Sequence, residues 1–153
     1  LQNRGPTVRV RALLPFFLFS TEIFMPQFIS AISLIVPDYD QGIEFYVGLM
    51  GFELIEDTYL SEDKRWVLVA PPGSTETRLL LAKAENEAQE EIIGEQAGGR
   101  VFLFLETYDF DEDIALMERA GVDIIEDPRV ESYGKVAVFR DPFGNKWDLI
   151  ERH

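Results

Sequence analysis

Chemistry needs nucleophiles, proton carriers or metal ligands at workable spacing, and this chain is short of most of them. Its 153 residues include no cysteine and one histidine, His153. Disulfides, thiolate or imidazole zinc sites, a cysteine nucleophile and an interior Ser-His-Asp relay are therefore excluded. What remains is carboxylates, arginines and aromatic rings. Arg100 opens an apolar run in which it shares one strand face with Phe102 and Phe104, while Val101, Leu103 and Leu105 take the other. A guanidinium among rings has two uses: its fixed fork holds a ligand carboxylate or phosphate, or it pairs with a protein carboxylate that is costly to bury alone. Trp66 and Phe139 are further strand aromatics for a concave apolar wall, and Tyr133 sits in a Ser132-Tyr133-Gly134 turn at a mouth. Aromatic walls with one arginine read as a pocket for a planar or amphipathic anion.

The other polar residues have plainer readings. Arg65 and Arg140 lie at strand ends and read as solvated, and Tyr39, Tyr46 and Tyr108 read as packing rings with wet hydroxyls. Glu85, Glu87, Glu90, Glu91 and Glu95 flank one short helix, and Asp109, Asp111, Glu112 and Asp113 crowd the start of another, where carboxylates complement the helix dipole. The second run lacks the spaced loop and central glycine of a calcium-binding hand. A net charge of −14 argues against nucleic acid as partner, because that affinity is built on Lys and Arg meeting phosphates.

The elements that must position these groups follow from periodicity and caps. Ala31 to Val36 reads as a buried strand, Asp38 with Gln41 as a helix cap, Ile43, Tyr46, Val47 and Met50 as a helix face, and Gly51 as its stop. Strands follow at Phe52 to Tyr59, Arg65 to Ala70 and Thr77 to Ala82. After a linker helix over 86–94 the rhythm repeats: a strand from Arg100 to Glu106, an Asp109 cap, a helix stopped by Gly121, then strands Val122 to Glu126, Lys135 to Arg140 and Asn145 to Glu151, with Asp127-Pro128 as a turn. The heptad Gly51-Phe52-Glu53-Leu54-Ile55-Glu56-Asp57 matches Gly121-Val122-Asp123-Ile124-Ile125-Glu126-Asp127 at an offset of 70. The chain is an internal duplication of a βαβββ plan, an α+β class. The modules span about 30–84 and 100–152 within one domain, 30–153. Residues 1–29 read as an N-terminal extension. Its apolar run Leu13 to Phe19 is too short to cross a bilayer and has no small-x-small site after it, so it is expected to pack on the domain or a partner, not to direct export.

The run Val36-Pro37-Asp38-Tyr39-Asp40-Gln41-Gly42-Ile43-Glu44-Phe45-Tyr46, the following Leu49-Met50-Gly51-Phe52 and the terminal Phe139-Arg140-Asp141-Pro142-Phe143-Gly144-Asn145-Lys146-Trp147-Asp148-Leu149-Ile150-Glu151 resemble the vicinal oxygen chelate superfamily of glyoxalases, bleomycin-resistance proteins and extradiol dioxygenases. The resemblance implies two βαβββ modules forming a half-open mixed barrel whose concave face holds a ligand and, in family enzymes, a divalent metal on the first and fourth strands of each module. Those stations here correspond to Ala31, Leu80, Arg100 and Asp148, of which Asp148 alone matches a metal ligand. The resemblance also places Arg100 in the cavity near Asp148. One carboxylate opposite an arginine does not hold a divalent ion, so no cofactor is expected and a metal is disfavoured. The leading expectation is a metal-free protein that binds a small organic molecule, anionic or aromatic, through Arg100, Asp148, Phe102, Phe104, Trp66 and Tyr133, as a cytoplasmic homodimer with no nucleic-acid or membrane partner. The alternatives are a metal-dependent glyoxalase-like lyase, isomerase or dioxygenase with a non-standard site, and a regulatory module with a vestigial cavity.

Overall fold

The structure, a computed structural model, describes residues 26–153. The expectation for Leu13 to Phe19 lies outside the described residues. The first module runs β1 (Ala31–Val36), α1 (Tyr39–Ile43), β2 (Glu53–Tyr59), β3 (Arg65–Ala70) and β4 (Arg78–Lys83). After α2 (Glu87–Glu91) the second runs β5 (Val101–Glu106), α3 (Phe110–Ala120), β6 (Asp123–Glu131), β7 (Gly134–Arg140) and β8 (Lys146–Arg152). Each module is a four-stranded mixed sheet, ordered β1-β4-β3-β2 and β5-β8-β7-β6, in which the first strand runs parallel to the fourth and the other pairings are antiparallel. The duplication extends to irregularities: pairing slips between Leu54 and Glu56 in β2 and between Ile124 and Glu126 in β6, both inside the repeated heptad.

Local chemistry sets the element ends. The Asp38 carboxylate accepts from the Asp40 and Gln41 N–H groups, and that of Asp109 from Glu112, which satisfies otherwise orphaned donors at each helix start. Gly121, at φ +76°, ends α3 in the left-handed conformation. Helix α1 continues into a π-helical segment, Glu44–Leu49, where Met50 N–H reaches back to the Phe45 carbonyl. The wider turn brings Phe45 and Tyr46 together into the interior. The linker helix is shorter than the expected 86–94, because it gives way after Glu91 to turns through Gly94 and Gly98. Strand β6 corrects the reading of Asp127-Pro128 as a turn: the strand continues through Pro128 to Glu131 and reverses at Ser132-Tyr133. It lies at a sheet edge, where proline's missing N–H breaks no ladder.

One hydrophobic core joins the modules through their helix-bearing sides. Leu34, Val67 and Leu81 of the first sheet, Phe45 and Tyr46 of the first helix, Ile114 and Met117 of α3, and Phe139, Trp147 and Leu149 of the second sheet form one buried cluster. Tyr46 lies 5.8 Å from Trp147 between ring centroids, and Phe139 stacks on Trp147 at 5.6 Å. At this seam the Tyr46 hydroxyl donates to the buried Asp141 carboxylate at 2.6 Å, which corrects the reading of a wet hydroxyl. Burial foremost, then the adjacent carboxylate, raises the Tyr46 pKa well above its ordinary value. Asp141 also accepts from the Phe143 and Asn145 backbone N–H groups and from Asn145 Nδ2 and Trp147 Nε1.

The linker ties the halves together a second way. Gly94, at φ +77°, lies so close to the Pro142–Gly144 turn that a β-carbon there would stand 2.1 Å from the Phe143 carbonyl oxygen. Two residues on, the Gln96 amide spans the outer edge of β1, accepting from Ile35 N–H at 2.8 Å and donating to the Ser33 carbonyl at 3.0 Å.

Candidate functional site

With the helix-bearing sides buried, each sheet presents its opposite face. Across the first sheet, Ser33, Leu80, Leu68 and Glu56 stand in one register line; across the second, Phe104, Asp148, Val138 and Glu126. The lines are equivalent strand for strand, with serine and leucine in one where phenylalanine and aspartate stand in the other. Residues flanking them, such as Val67, Val69, Trp147 and Leu149, point into the core, as the two-residue strand period demands. Large rings are left on the open faces: Trp66, 38% exposed, two residues from Leu68 on β3, and Phe104, 64% exposed. A cleft of about 370 Å³ on the first sheet is lined by Ser33, Ile35, Tyr39, Arg65, Trp66 and Leu80 among others. A larger cleft of about 770 Å³ at the seam behind the sheets is lined by Phe45, Arg140, Asp141 and Phe143 among others. Its carboxylate Asp141 is already occupied by five donors, and its arginine, Arg140, faces Asp123 at 3.8 Å.

The predicted site residues divide accordingly. Trp66, Phe104 and Asp148 reach the open faces, and Tyr133 is half-exposed in the β6–β7 turn. Phe102 does not: pairing slips between Val101 and Leu103, and Phe102 packs against the core. Phe139 is also core, 1% exposed. Arg100 precedes β5 and is exposed, whereas Asp148 stands level with Phe104, four positions along and roughly 13 Å away at the usual strand rise. The expected Arg100–Asp148 neighbourhood is therefore not formed, and the argument for an anion that rested on it falls.

Arg129 of β6 is the cation that the sequence pattern does not reveal, because Asp127-Pro128 reads as a turn that ends the strand before it. It is level with Val136, and its fork is divided between Glu126 and Glu131 at 2.9 Å each. The Asp148 carboxyl makes no hydrogen bond or ion pair among the described residues. Partial burial, more than any neighbour, raises its pKa; Arg129 opposes the shift and Glu126 adds to it. A carboxyl with a raised folded pKa contributes stability below its ordinary range that is lost as pH rises and the charge forms. Asp148→Asn should therefore raise the melting temperature at pH 7, and thermal unfolding followed against pH should show that gain shrinking toward nothing below about pH 4, where the Asp148 carboxyl becomes neutral in the folded and unfolded states alike.

Arg65 also departs from its solvated reading. Its guanidinium forks onto both Asp57 oxygens at 2.9 and 2.5 Å, reaches Asp40 at 2.6 Å, and lies over the Tyr39 and Tyr59 rings. The Arg65 hydrogen bonds pull the Asp57 pKa below its ordinary value.

Of the four metal stations that the resemblance implies, Ala31 and Leu80 carry no donor atom on their side chains and Arg100 carries a positive charge. Asp148 alone does not make a coordination shell, and these positions do not fit a divalent metal.

Comparison with known proteins agrees with this architecture. The family model described as Glyoxalase/Bleomycin resistance protein/Dioxygenase superfamily matches residues 28–149. A protein of Shewanella frigidimarina (strain NCIMB 400) is 53% identical over 128 residues, covering 83% of this chain and 95% of that one. Among solved structures, UcmS2 superposes with a TM-score of 0.72 at 26% identity, covering 82% of this chain and 98% of that one. TnmS3, an antibiotic binding protein from Streptomyces sp. CB03234, does so with a TM-score of 0.69 at 29% identity, covering 85% and 99%. With its duplicated modules, the matched span and these relatives, the chain belongs to the Glyoxalase/Bleomycin resistance protein/Dioxygenase superfamily.

Proposed function

We propose that this protein binds a small, planar, partly apolar organic molecule without transforming it, in a cavity formed where the open sheet faces of two copies meet. The observation that carries this reading is the pair of open faces, each with a large exposed ring, Trp66 on one and Phe104 on the other. Leaving such rings in water forgoes the burial that places most aromatics inside, and rings left exposed on the same faces as Leu68, Leu80 and Val138 mark a binding surface. Strand β5, at the edge of its sheet, is where a second chain can extend the barrel, whereas the β1 edge is already spanned by Gln96. Sequestration is favoured over metal-assisted isomerisation or dioxygenation because Ala31 and Leu80 offer a metal nothing. The likeness to TnmS3, an antibiotic binding protein, supports the same class of ligand.

The test is a thermal-shift and fluorescence titration with uncharged naphthalene and quinone probes, alongside sedimentation velocity. A dimer whose melting temperature rises with probe concentration, and whose emission change is lost in Trp66→Phe, is expected. A monomer that no probe stabilises would refute the reading.

A further inference from the structure

The protein's overall acidity says little about its ligand, but the second sheet's open face carries a more local message. We propose that Asp148 is the receptor for a cationic group on the ligand, an amine or guanidinium attached to an aromatic body; this rests on the binding reading above and adds the sign of the charge.

Three observations converge on it. First, Asp148 stands mid-face, level with the exposed Phe104 on one side and the apolar Val138 on the other, so a flat ring lying on Phe104 would bring a substituent to the carboxylate. Second, the nearby cations are already engaged. Arg129 divides its fork between Glu126 and Glu131, Arg152 donates to Glu106 at 2.6 Å, and Lys146, two positions from Asp148 on β8, donates to the Gly99 carbonyl at 3.0 Å. The Asp148 carboxyl is left without a hydrogen-bond or ion-pair partner among the described residues. Third, on and beside this face the five carboxylates Glu106, Asp123, Glu126, Glu131 and Asp148 outnumber the four cations Arg129, Arg140, Lys146 and Arg152 by one, so an anion entering it meets surplus negative charge while one cation completes it. In the equivalent line of the first sheet the matching position is Leu80, so the charge preference belongs to one module alone.

A carboxylate partly withdrawn from water and facing a ligand surface gains more from a charged donor than from a neutral one, because the ion pair forms in a medium less polar than water. The face also prefers an ammonium or guanidinium over a bare metal ion, since one monodentate carboxylate satisfies one or two N–H donors but leaves a divalent ion's shell unfilled.

The experiment uses three probes of one shape: 2-naphthylmethylammonium, 2-naphthalenemethanol and 2-naphthoate, titrated calorimetrically into the full chain and into Asp148→Asn at pH 7 and low salt. The ammonium is expected to bind the unsubstituted protein about tenfold more tightly than the alcohol, with the naphthoate weakest. In Asp148→Asn, whose folding is checked by circular dichroism, the ammonium and the alcohol should bind within about twofold of each other. Equal binding of alcohol and ammonium to the unsubstituted protein would overturn the proposal while leaving aromatic binding intact. A preference for the ammonium that survives in Asp148→Asn would overturn it equally. Binding of none of the three would overturn both readings together.

Discussion

Asp141→Ala is expected to cost on the order of 3–5 kcal/mol, the range for stranding buried partners of a charged group, and thereby to consume a large share of the 5–15 kcal/mol typical of a domain. The carboxylate is 2% exposed and accepts from five donors. Removing it leaves the Tyr46 hydroxyl, the Asn145 amide, the Trp147 indole N–H and two backbone N–H groups without their acceptor. Asparagine rescues it only in part. Oδ1 receives two backbone N–H groups and Oδ2 receives three side-chain donors, so an amide nitrogen at Oδ1 meets only hydrogens, and at Oδ2 it still opposes the Asn145 and Trp147 N–H groups while the Tyr46 hydroxyl can turn to accept. Tyr46→Phe, which deletes one donor and leaves four, should cost less, about 1–3 kcal/mol. Urea unfolding would show the midpoint falling in the order Tyr46→Phe, then Asp141→Asn and Asp141→Ala, with little change in slope. An Asp141→Ala protein within about 1 kcal/mol of the original would mean that the seam is held by its rings alone.

Gly94→Ala should be the other severe change, about 2–4 kcal/mol, because a strained backbone angle and a backbone clash act at one position. The atoms a β-carbon would meet, the Phe143 carbonyl oxygen at 2.1 Å and the Gly144 α-carbon at 2.9 Å, cannot swing aside as a side chain does. The linker must lift instead, and Gln96 goes with it. Hydrogen exchange distinguishes this from general loosening: the Ile35 amide, bonded to Gln96, should lose protection by more than the global destabilisation accounts for, while amides in the middle of β8 should not. Unchanged exchange at Ile35 would show that the strap tolerates the methyl group.

How far the fold could be read without coordinates depends on whether the governing contacts are local. Caps at Asp38 and Asp109, the stop at Gly121 and the strand Arg65 to Ala70 are decided by neighbours in the chain, and they form as the sequence implies. What could not be read depends on residues brought together from afar. Arg65 looks like a strand-end cation until Tyr39, Asp40, Asp57 and Tyr59 close around it from other segments. Strand alternation alone puts Phe102 on the same face as Phe104; a single slipped pairing in β5 turns it inward, and no pattern of hydrophobicity announces a bulge. Alternation and family geometry suggest a cavity role for Arg100, yet where it falls along the strand relative to Asp148 is a matter of sheet register, which is settled between strands and not within one. Asp148, Phe104 and Trp66 reach the open faces because simple period-two alternation holds around them.

The Gln96 clasp on β1 also bears on how the chain is made. The first module is fully synthesised once Lys83 has emerged, but the side chain that covers its strand edge comes 13 residues later, and the turn that seats Gly94 contains Phe143 and Gly144, about 50 residues beyond. At ordinary elongation rates of about 5–20 residues per second, the nascent β1 edge waits some seconds for its cover. During that interval its Ile35 N–H and Ser33 carbonyl are open to any passing strand, so an opportunity for misassembly falls between the completion of the two repeats.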